Sequence, residues 1–254
     1  MKRIYIVGVK ILRMIWRVNW FSTVRLNFAC LPFCQAIKLP ILLYEPKIRN
    51  LCGKIHISKK VTFGMIRLGC WYAAFCPSKP GITLNIEKGG VVIFDSYCMI
   101  GSSSVIEVGN HGHLHIGKNV SISGSCRIGC RKKIVIGENF SCSWNTGIYD
   151  TDFHLTCSPR ENVEKLNSET EPQNVVIGKD CWLCQDSIIL KGSSLPDRTI
   201  VGAKSLVKGN YLVYGNNILI AGIPAKLLKR DITRVEFVKF ELYPLDSIVK
   251  HCGL

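Results

Sequence analysis

The sequence predicts an all-β solenoid, a stack of coils built from short strands and tight turns. The first observation is a period of six, because every sixth residue from Ile177 to Leu219 is aliphatic, eight in a row. The second is that a small residue stands four positions after each of the first five: Cys181, Ser187, Ser193, Thr199 and Ser205. The third is that the period recurs upstream at Ile116, Ile122, Ile128 and Ile134, again, shifted by two residues, at Ile136, Cys142 and Ile148, and further towards the N-terminus at Ile100 and Ile106.

A period of six fits neither the 3.6-residue repeat of an α-helix nor the two-residue alternation of a plain strand. It fits a coil in which each facet places one aliphatic residue inward and one small residue at a corner. Stacked coils bury these residues in continuous ladders, so each coil depends on its neighbours for stability. Glycine follows the aliphatic residue at positions 101, 117, 129, 137, 178 and 202, which is typical of tight turns.

Composition limits the classes of function. With 254 residues, 47% of them apolar, the chain can bury one domain with extensions. The net charge of +15 favours anionic partners such as phosphorylated cofactors or an anionic membrane surface. The charge is spread along the chain without an aromatic-rich basic patch, so nucleic acid is not an expected partner. Thirteen cysteines without a cleavable signal peptide indicate reduced thiols and a cytoplasmic location.

Residues 1–50 are predicted to form an amphipathic helix and a connector. Apolar residues recur at helical spacing while basic ones share the other side, and the charges interrupt the apolar run too often for a membrane span. Two interpretations stay open. The helix packs on the protein or on another subunit, or residues 1–20 lie on the inner face of the cytoplasmic membrane, where Trp16 and Trp20 suit the headgroup zone. Prolines at 32, 40 and 46 predict an irregular connector over 22–50.

The six-residue ladder has one large interruption. It stops at Ile148 and resumes at Ile177, so residues 149–176 form a polar, loop-like excursion. Long loops on rigid scaffolds commonly carry function. The excursion begins with the stretch IYDTDFH, in which Asp150, Asp152 and His154 alternate.

Three motifs resemble those of the hexapeptide-repeat acyltransferases, of the polysaccharide or sugar O-acetyltransferase type. They are the rung VIGKDCWL from Val176, the rung VGAKSLV from Val201, and the segment AGIPAK from Ala221. The resemblance implies a left-handed parallel β-helix over residues 51–230, interrupted by the 149–176 loop and followed by a C-terminal tail over 231–254. It also implies a homotrimer.

The resemblance further implies acetyl transfer from acetyl-CoA to a hydroxyl, with His154 as the general base. A neutral alcohol attacks a thioester poorly, and a positioned histidine accelerates such attack by about 10²–10⁴-fold. The N-terminal segment, the stretch Leu26-Asn27-Phe28 and the DTDFH-type site resemble those of bacterial enzymes of surface-polysaccharide synthesis. We therefore expect O-acetylation of a sugar in such a polysaccharide or its precursor.

Other residues are predicted to assist His154. Asp150 and Asp152 fall on the same side as His154 if the stretch is extended, and either can orient the imidazole. Asn145 and Trp182 are candidates for binding the acceptor sugar. By resemblance, the cofactor contacts fall on Gln185, Ala203, Lys208, Lys226 and Lys229.

Competing functions are less well supported by the sequence. The stretch His111-x-His113-x-His115 and the pair Cys181-x-x-Cys184 do not supply the ligand spacing of a zinc site, so no metal is expected. A non-catalytic β-helix scaffold is the alternative from another class. An acetyltransferase for a small sugar, an amino sugar or another small acceptor is the alternative among enzymes.

Overall fold

The N-terminal part of the described chain folds into two helices that cover one end of the molecule. The computed structural model describes residues 16–58, 60–70, 81–154 and 171–234. Helix α1 spans Trp20–Cys30 and helix α2 spans Phe33–Ala36. The side chain of Asn19 caps α1 by accepting a hydrogen bond from the Ser22 amide at 2.9 Å.

The prediction of an irregular connector over 22–50 is therefore wrong. Pro32 separates the two helices and stands at the N-cap of α2. A proline at this position ends one helix and precedes the next, so it is compatible with helical structure on both sides. The first strands also begin at Ile41 and Lys47, inside the predicted connector. The predicted helix over 1–20 and the tail after residue 234 lie largely outside the described residues.

The rest of the described chain is built from short strands. They are β1 (Ile41–Leu43), β2 (Lys47–Leu51), β3 (Lys54–Ile57), β4 (Ile66–Cys70), β5 (Ile82–Ile86), β6 (Val91–Phe94), β7 (Cys98–Gly101), β8 (Ser104–Val108), β9 (His113–Ile116), β10 (Val120–Ile122), β11 (Arg127–Cys130), β12 (Lys133–Ile136), β13 (Ser141–Cys142), β14 (Gly147–Tyr149), β15 (Val175–Ile177), β16 (Trp182–Leu183), β17 (Ile188–Ile189), β18 (Ser194–Leu195), β19 (Ile200–Val201), β20 (Leu206–Val207), β21 (Ile218–Gly222) and β22 (Ala225–Arg230).

Three sheets share these strands in rotation. The first sheet has the order β1-β4-β7-β10-β13-β16-β19-β21-β22, the second β2-β5-β8-β11-β14-β17-β20, and the third β3-β6-β9-β12-β15-β18. Strand pairing is parallel throughout except for the closing hairpin of β21 and β22. Because each coil gives one strand to each sheet, the fold is the predicted parallel β-helix.

The six-residue ladder is confirmed over most of its length. Ile177 pairs with Leu195, Leu183 with Val201 and Ile189 with Val207, each pair separated by three six-residue steps. These side chains are at most 1% exposed, and the small corner residues predicted beside them are also buried. The ladder thus forms the continuous apolar core that holds one coil on the next.

The ladder ends earlier than the sequence pattern predicts. Val213 is 74% exposed, and Ile218 and Ile220 are fully buried in place of Leu219. A 3₁₀ turn over Leu212–Tyr214 interrupts the coil and shifts the inward positions by one residue. The period therefore continues by chance through a segment that no longer coils.

Glycine and asparagine have separate uses at the corners. At Gly137, a Cβ atom would lie 2.5 Å from the Gly178 carbonyl oxygen, so glycine is needed for the close approach of the next coil. The left-handed conformation falls instead on Asn139, with φ of 56°, two residues later. Its side-chain amide donates to Asp180 at 2.9 Å, which links successive corners.

The described cysteines are free thiols, and most of them are core residues. Cys181 is fully buried, and its thiol donates to the Pro196 carbonyl at 3.2 Å, so it serves as a corner residue of the ladder. Among the described helices, none is long and apolar enough to cross a membrane.

Candidate active site

The chain leaves the β-helix at a firmly held corner. Strand β14 ends at Tyr149, and the Asp150 amide still donates to the Gly129 carbonyl of the preceding coil at 3.2 Å. The returning chain is held at the same point, because the Gln173 amide donates to the Asp150 carbonyl at 2.9 Å. Both ends of the predicted excursion are thus attached to one residue. Residues 155–170 of the excursion lie outside the described part.

Asp150 is built into the corner. Its side chain is 0% exposed. Oδ1 accepts a hydrogen bond from the Arg131 amide at 2.7 Å, and Oδ2 accepts one from the Lys132 amide at 2.8 Å. These amides belong to the turn between β11 and β12, which leaves them without ladder partners. Burial raises the pKa of the neighbouring Cys130 thiol, and the negative charge of Asp150 raises it further.

The predicted alternation of Asp150, Asp152 and His154 on one side is wrong. The strand stops at Tyr149, and Phe153 adopts a left-handed backbone with φ of 61°. The Phe153 amide donates to the Thr151 hydroxyl at 3.0 Å, which closes a local turn. The chain from Asp150 to His154 is therefore not extended, and the two-residue alternation of a strand does not apply to it.

Phe153 packs back onto the corner and fixes the backbone just before His154. Its ring meets Tyr149 edge-on with centroids 6.0 Å apart, and the Arg131 guanidinium lies 6.0 Å from the ring centroid. A Cβ atom at Gly129 would lie 2.7 Å from the Phe153 ring, so the glycine makes room for it. Arg131 is itself held by ion pairs with Glu87 and Glu107.

Asp152 makes an ion pair that the sequence analysis missed. Its Oδ2 lies 2.6 Å from the Nζ atom of Lys191, whose side chain is only 10% exposed against 53% for Asp152. Lys191 lies just beyond β17, the strand that pairs with β14 on the next coil. The sequence does contain a sign of this proximity. Lys191 follows the rung Ile188-Ile189-Leu190 just as Asp150 follows Ile148-Tyr149, so the two residues hold equivalent positions on successive coils.

His154 is exposed at the end of this described segment. Over residues 16–58, 60–70, 81–154 and 171–234, no hydrogen bond or ion pair joins it to Asp150 or Asp152. The structure therefore brings the three predicted catalytic residues to one corner without forming a base–carboxylate pair within the chain.

The predicted binding residues lie at a different corner, between the first and second sheets. Asn145 and Asp186 both have left-handed backbones there, and the Asn145 amide donates to the Asp186 carboxylate at 2.6 Å. Gln185 and Ala203 are exposed on successive coils, joined by the Lys204 amide donating to the Gln185 carbonyl at 2.9 Å. The Asn145 side chain thus makes a contact between two successive corners of the β-helix.

Trp182 and the predicted cofactor lysines are distributed around these corners. Trp182 lies on β16 of the first sheet, between Ser141 and Ile200. Lys226 and Lys229 are exposed on the closing hairpin, opposite Ala221 and Leu219, respectively. Lys208 is exposed just after β20, at the same corner of the coil as Lys191.

The closing hairpin is tied to the β-helix beside Ala203. The Gly222 amide donates to the Ser205 hydroxyl at 3.1 Å, and the Tyr211 hydroxyl donates to the Ala225 carbonyl at 2.8 Å. The Ile223–Pro224 peptide bond within the motif AGIPAK is cis. The hairpin thus gives the Gln185–Ala203 corner a fixed neighbour.

One histidine of the stretch His111-x-His113-x-His115 has an acidic neighbour. His115 pairs with Asp95 at 2.9 Å across the outer surface of the third sheet. Across the described ranges, no three histidine, cysteine, aspartate or glutamate side chains lie close enough to hold a metal ion.

A parallel β-helix with six-residue steps and a polar corner at the root of a long excursion defines a hexapeptide-repeat protein. A comparison with protein-family models finds no match. A protein of Escherichia coli K12 named for O-acetyl transfer in lipopolysaccharide biosynthesis is 25% identical over 206 residues, covering 75% of this chain and 94% of that protein. The galactoside O-acetyltransferase of the same organism is 22% identical, over 65% of this chain and 79% of that enzyme.

Solved structures with a similar chain path include the polysialic-acid-specific acetyltransferase NeuO. It shares 16% identity and a TM-score of 0.44, covering 82% of this chain and 96% of that one. The six-residue repeat and these sequence relatives make the chain similar to hexapeptide-repeat acyltransferases of the sugar O-acetyltransferase type.

Proposed function

We propose that the protein transfers an acetyl group from acetyl-CoA to a sugar hydroxyl of a bacterial surface polysaccharide or its precursor, with His154 as the general base. The observation that carries the proposal is an exposed histidine at the rigid root of the excursion. The proposal is supported by the lipopolysaccharide-related relative, 94% of whose length this chain matches. We also propose that the enzyme works in the cytoplasm at the inner face of the membrane, with residues 1–20 in peripheral contact.

In the proposed reaction, the imidazole of His154 takes the proton of the acceptor hydroxyl as its oxygen attacks the thioester carbonyl carbon. The tetrahedral intermediate then collapses, the carbon–sulfur bond breaks, and the thiolate of CoA takes up the proton. Direct transfer needs no enzyme nucleophile. Between the two aspartates, Asp152 is the better candidate for the orienting carboxylate, because both oxygens of Asp150 already accept backbone hydrogen bonds.

A homotrimer would complete such a site. Within one chain, His154 lies at the corner between the second and third sheets, whereas Gln185 and Ala203 lie at the corner between the first and second. In a cyclic trimer, the corner of one chain that carries His154 can pack against the corner of its neighbour that carries Gln185 and Ala203. We propose that acetyl-CoA lies along Gln185 and Ala203, with Lys208, Lys226 and Lys229 near its phosphates, and that Trp182 contacts the acceptor.

The proposed function is tested by measuring free CoA thiol released from acetyl-CoA in the presence of candidate acceptors. Mass spectrometry of the producing cell's polysaccharide, with and without the gene, identifies the acetylated residue. Acceptor-dependent release together with loss of polysaccharide acetyl groups supports the proposal. Absence of both, with a folded protein, would favour a non-catalytic scaffold.

A second candidate is acetylation of a small free sugar. It is favoured by the similarity to galactoside O-acetyltransferase. Comparing kcat/KM for a free galactoside with that for an oligosaccharide of the polysaccharide separates the two. A value for the free sugar that equals or exceeds the oligosaccharide value would select the small acceptor.

Lys191 is predicted to act as a positioning residue through Asp152. Replacing it with Met removes the charge partner of Asp152 and loosens the segment that carries His154. We expect Lys191→Met to lower kcat by about tenfold with little change in KM for acetyl-CoA, because small misplacements of a catalytic group are costly. Lys191→Arg should restore most of the activity. If Lys191→Met lowers stability alone and leaves kcat unchanged, the role is structural.

A further inference from the structure

Helix α1 packs on the open end of the β-helix through one of its faces. That face carries both apolar and polar side chains. Leu26 and Cys30 join the main core, and Thr23 and Asn27 are fully buried. The Thr23 hydroxyl accepts from the Leu43 amide at 3.0 Å. The Asn27 side chain accepts from the Ile41 amide at 3.2 Å and donates to the Ile41 carbonyl at 2.8 Å. These bonds satisfy the edge strand β1 and fix which side of the helix faces outward.

The outward side of α1 is aromatic, which is the reverse of an ordinary surface helix. Phe21 is 80% exposed, Val24 43% and Phe28 47%, at helical spacings of three and four residues. Arg25 is exposed between them. A helix that buries Asn and Thr while exposing two phenylalanines needs an explanation beyond the stability of the chain.

Neighbouring segments extend this surface. The Phe28 and Phe33 rings meet edge-on at 6.0 Å, with Phe33 73% exposed, and Trp20 stacks on Phe63 at 6.5 Å, with Phe63 55% exposed. Trp16, before the helix, is 88% exposed. We call the six side chains the aromatic face: Trp16, Trp20, Phe21, Phe28, Phe33 and Phe63.

The positive charge of the segment that carries the aromatic face favours an anionic partner. Residues 1–44 contain seven Lys and Arg and no Asp or Glu. Arg17, Arg25 and Lys38 are exposed in the same N-terminal segment that carries five of the six aromatic side chains. A second copy of the chain would bring two such basic regions together, and residues 1–15 carry four of the same positive charges, so neither complements the face. An anionic lipid surface does.

We propose that the aromatic face binds an anionic lipid bilayer, so that the β-helix stands with its N-terminal end on the membrane. The rings would enter the headgroup and upper acyl region while Arg17, Arg25 and Lys38 meet lipid phosphates. Helix α1 is far too short to span a bilayer, so the contact is interfacial. The proposal rests on the proposed peripheral contact of residues 1–20, with which it shares Trp16, Arg17 and Trp20, and extends that contact to helix α1, Phe33 and Phe63; it is independent of the acetyl-transfer chemistry.

The test is flotation of the full chain with two kinds of vesicle. One kind is phosphatidylcholine alone, and the other contains about 30% phosphatidylglycerol, which supplies anionic headgroups. We expect binding to the anionic vesicles only. The variant Phe21→Ser/Phe28→Ser/Phe33→Ser should lose at least about tenfold in partition coefficient, since three apolar side chains leave the lipid. Arg17→Gln/Arg25→Gln should lose about tenfold or more, at a few-fold per charge.

A matched control removes equally exposed apolar groups at the opposite end of the β-helix. Leu212 and Val213 are 51% and 74% exposed, and Leu212→Ser/Val213→Ser should bind vesicles as the parent chain does. Circular dichroism melting checks that each variant is folded. CoA release with a soluble acceptor should be unchanged in the aromatic variant, so a failure of acetyl transfer in the parent chain would not count against membrane binding.

Two outcomes would overturn the proposal. Unchanged vesicle binding in both the aromatic and the charge variants would place the contact elsewhere. Absence of vesicle binding, with self-association in sedimentation that the aromatic variant abolishes, would show that the face joins copies of the chain.

Discussion

His154→Ala is expected to lower kcat for acceptor-dependent CoA release by about 10²–10⁴-fold, the usual contribution of a positioned general base. The acceptor hydroxyl would lose its proton acceptor at the moment of attack, whereas Gln185 and Ala203, which are proposed to bind acetyl-CoA, lie at another corner of the β-helix. The KM for acetyl-CoA should therefore change little. The measurement is steady-state thiol release at saturating acetyl-CoA over a range of acceptor concentrations.

The control for this variant is His56→Ala. His56 is exposed on β3, on the outer surface of the third sheet, and takes no part in the proposed chemistry. It should retain the parental kcat. Partial recovery of His154→Ala by added imidazole would support the base assignment directly. Equal kcat in His154→Ala and the parent chain would remove His154 from the mechanism.

The fold was predictable from the sequence because a β-helix repeats one local rule. Each six-residue step meets the same environment, so Ile177, Leu183 and Ile189 carry the information for the whole ladder, and all are buried. The rule fails where the chain stops repeating. Val213 keeps the period but is exposed, because it lies in the 3₁₀ turn over Leu212–Tyr214, where the chain no longer coils.

The candidate site was predictable only in its location. The break in the ladder after Ile148 marked the corner, but the contacts there join coils that are distant in sequence. Asp150 binds the amides of Arg131 and Lys132 on the preceding coil, and Asp152 binds Lys191 on the following one. Such pairs are set by how coils stack, and a single sequence without its register does not reveal them.

Asp150→Ala is expected to reduce the free energy of unfolding by about 3–5 kcal/mol. The carboxylate is fully buried and accepts two backbone hydrogen bonds, so its removal leaves the Arg131 and Lys132 amides without partners. A hydrogen bond to a charged group contributes about 1.5–3 kcal/mol, and both bonds are lost. The effect is measured by urea unfolding followed by circular dichroism.

Asp197→Ala is the matched control, because Asp197 makes the same kind of bond at a more exposed corner. Its Oδ1 accepts from the Lys179 amide at 2.8 Å, and water can replace it there. We expect a loss of about 1 kcal/mol or less. Asp150→Asn should fall between the two, since the amide oxygen can accept from one backbone N–H while the amide nitrogen cannot accept from the other. Equal losses for Asp150→Ala and Asp197→Ala would mean that water reaches the Asp150 corner, and the rigid root proposed for His154 would then lose its physical basis.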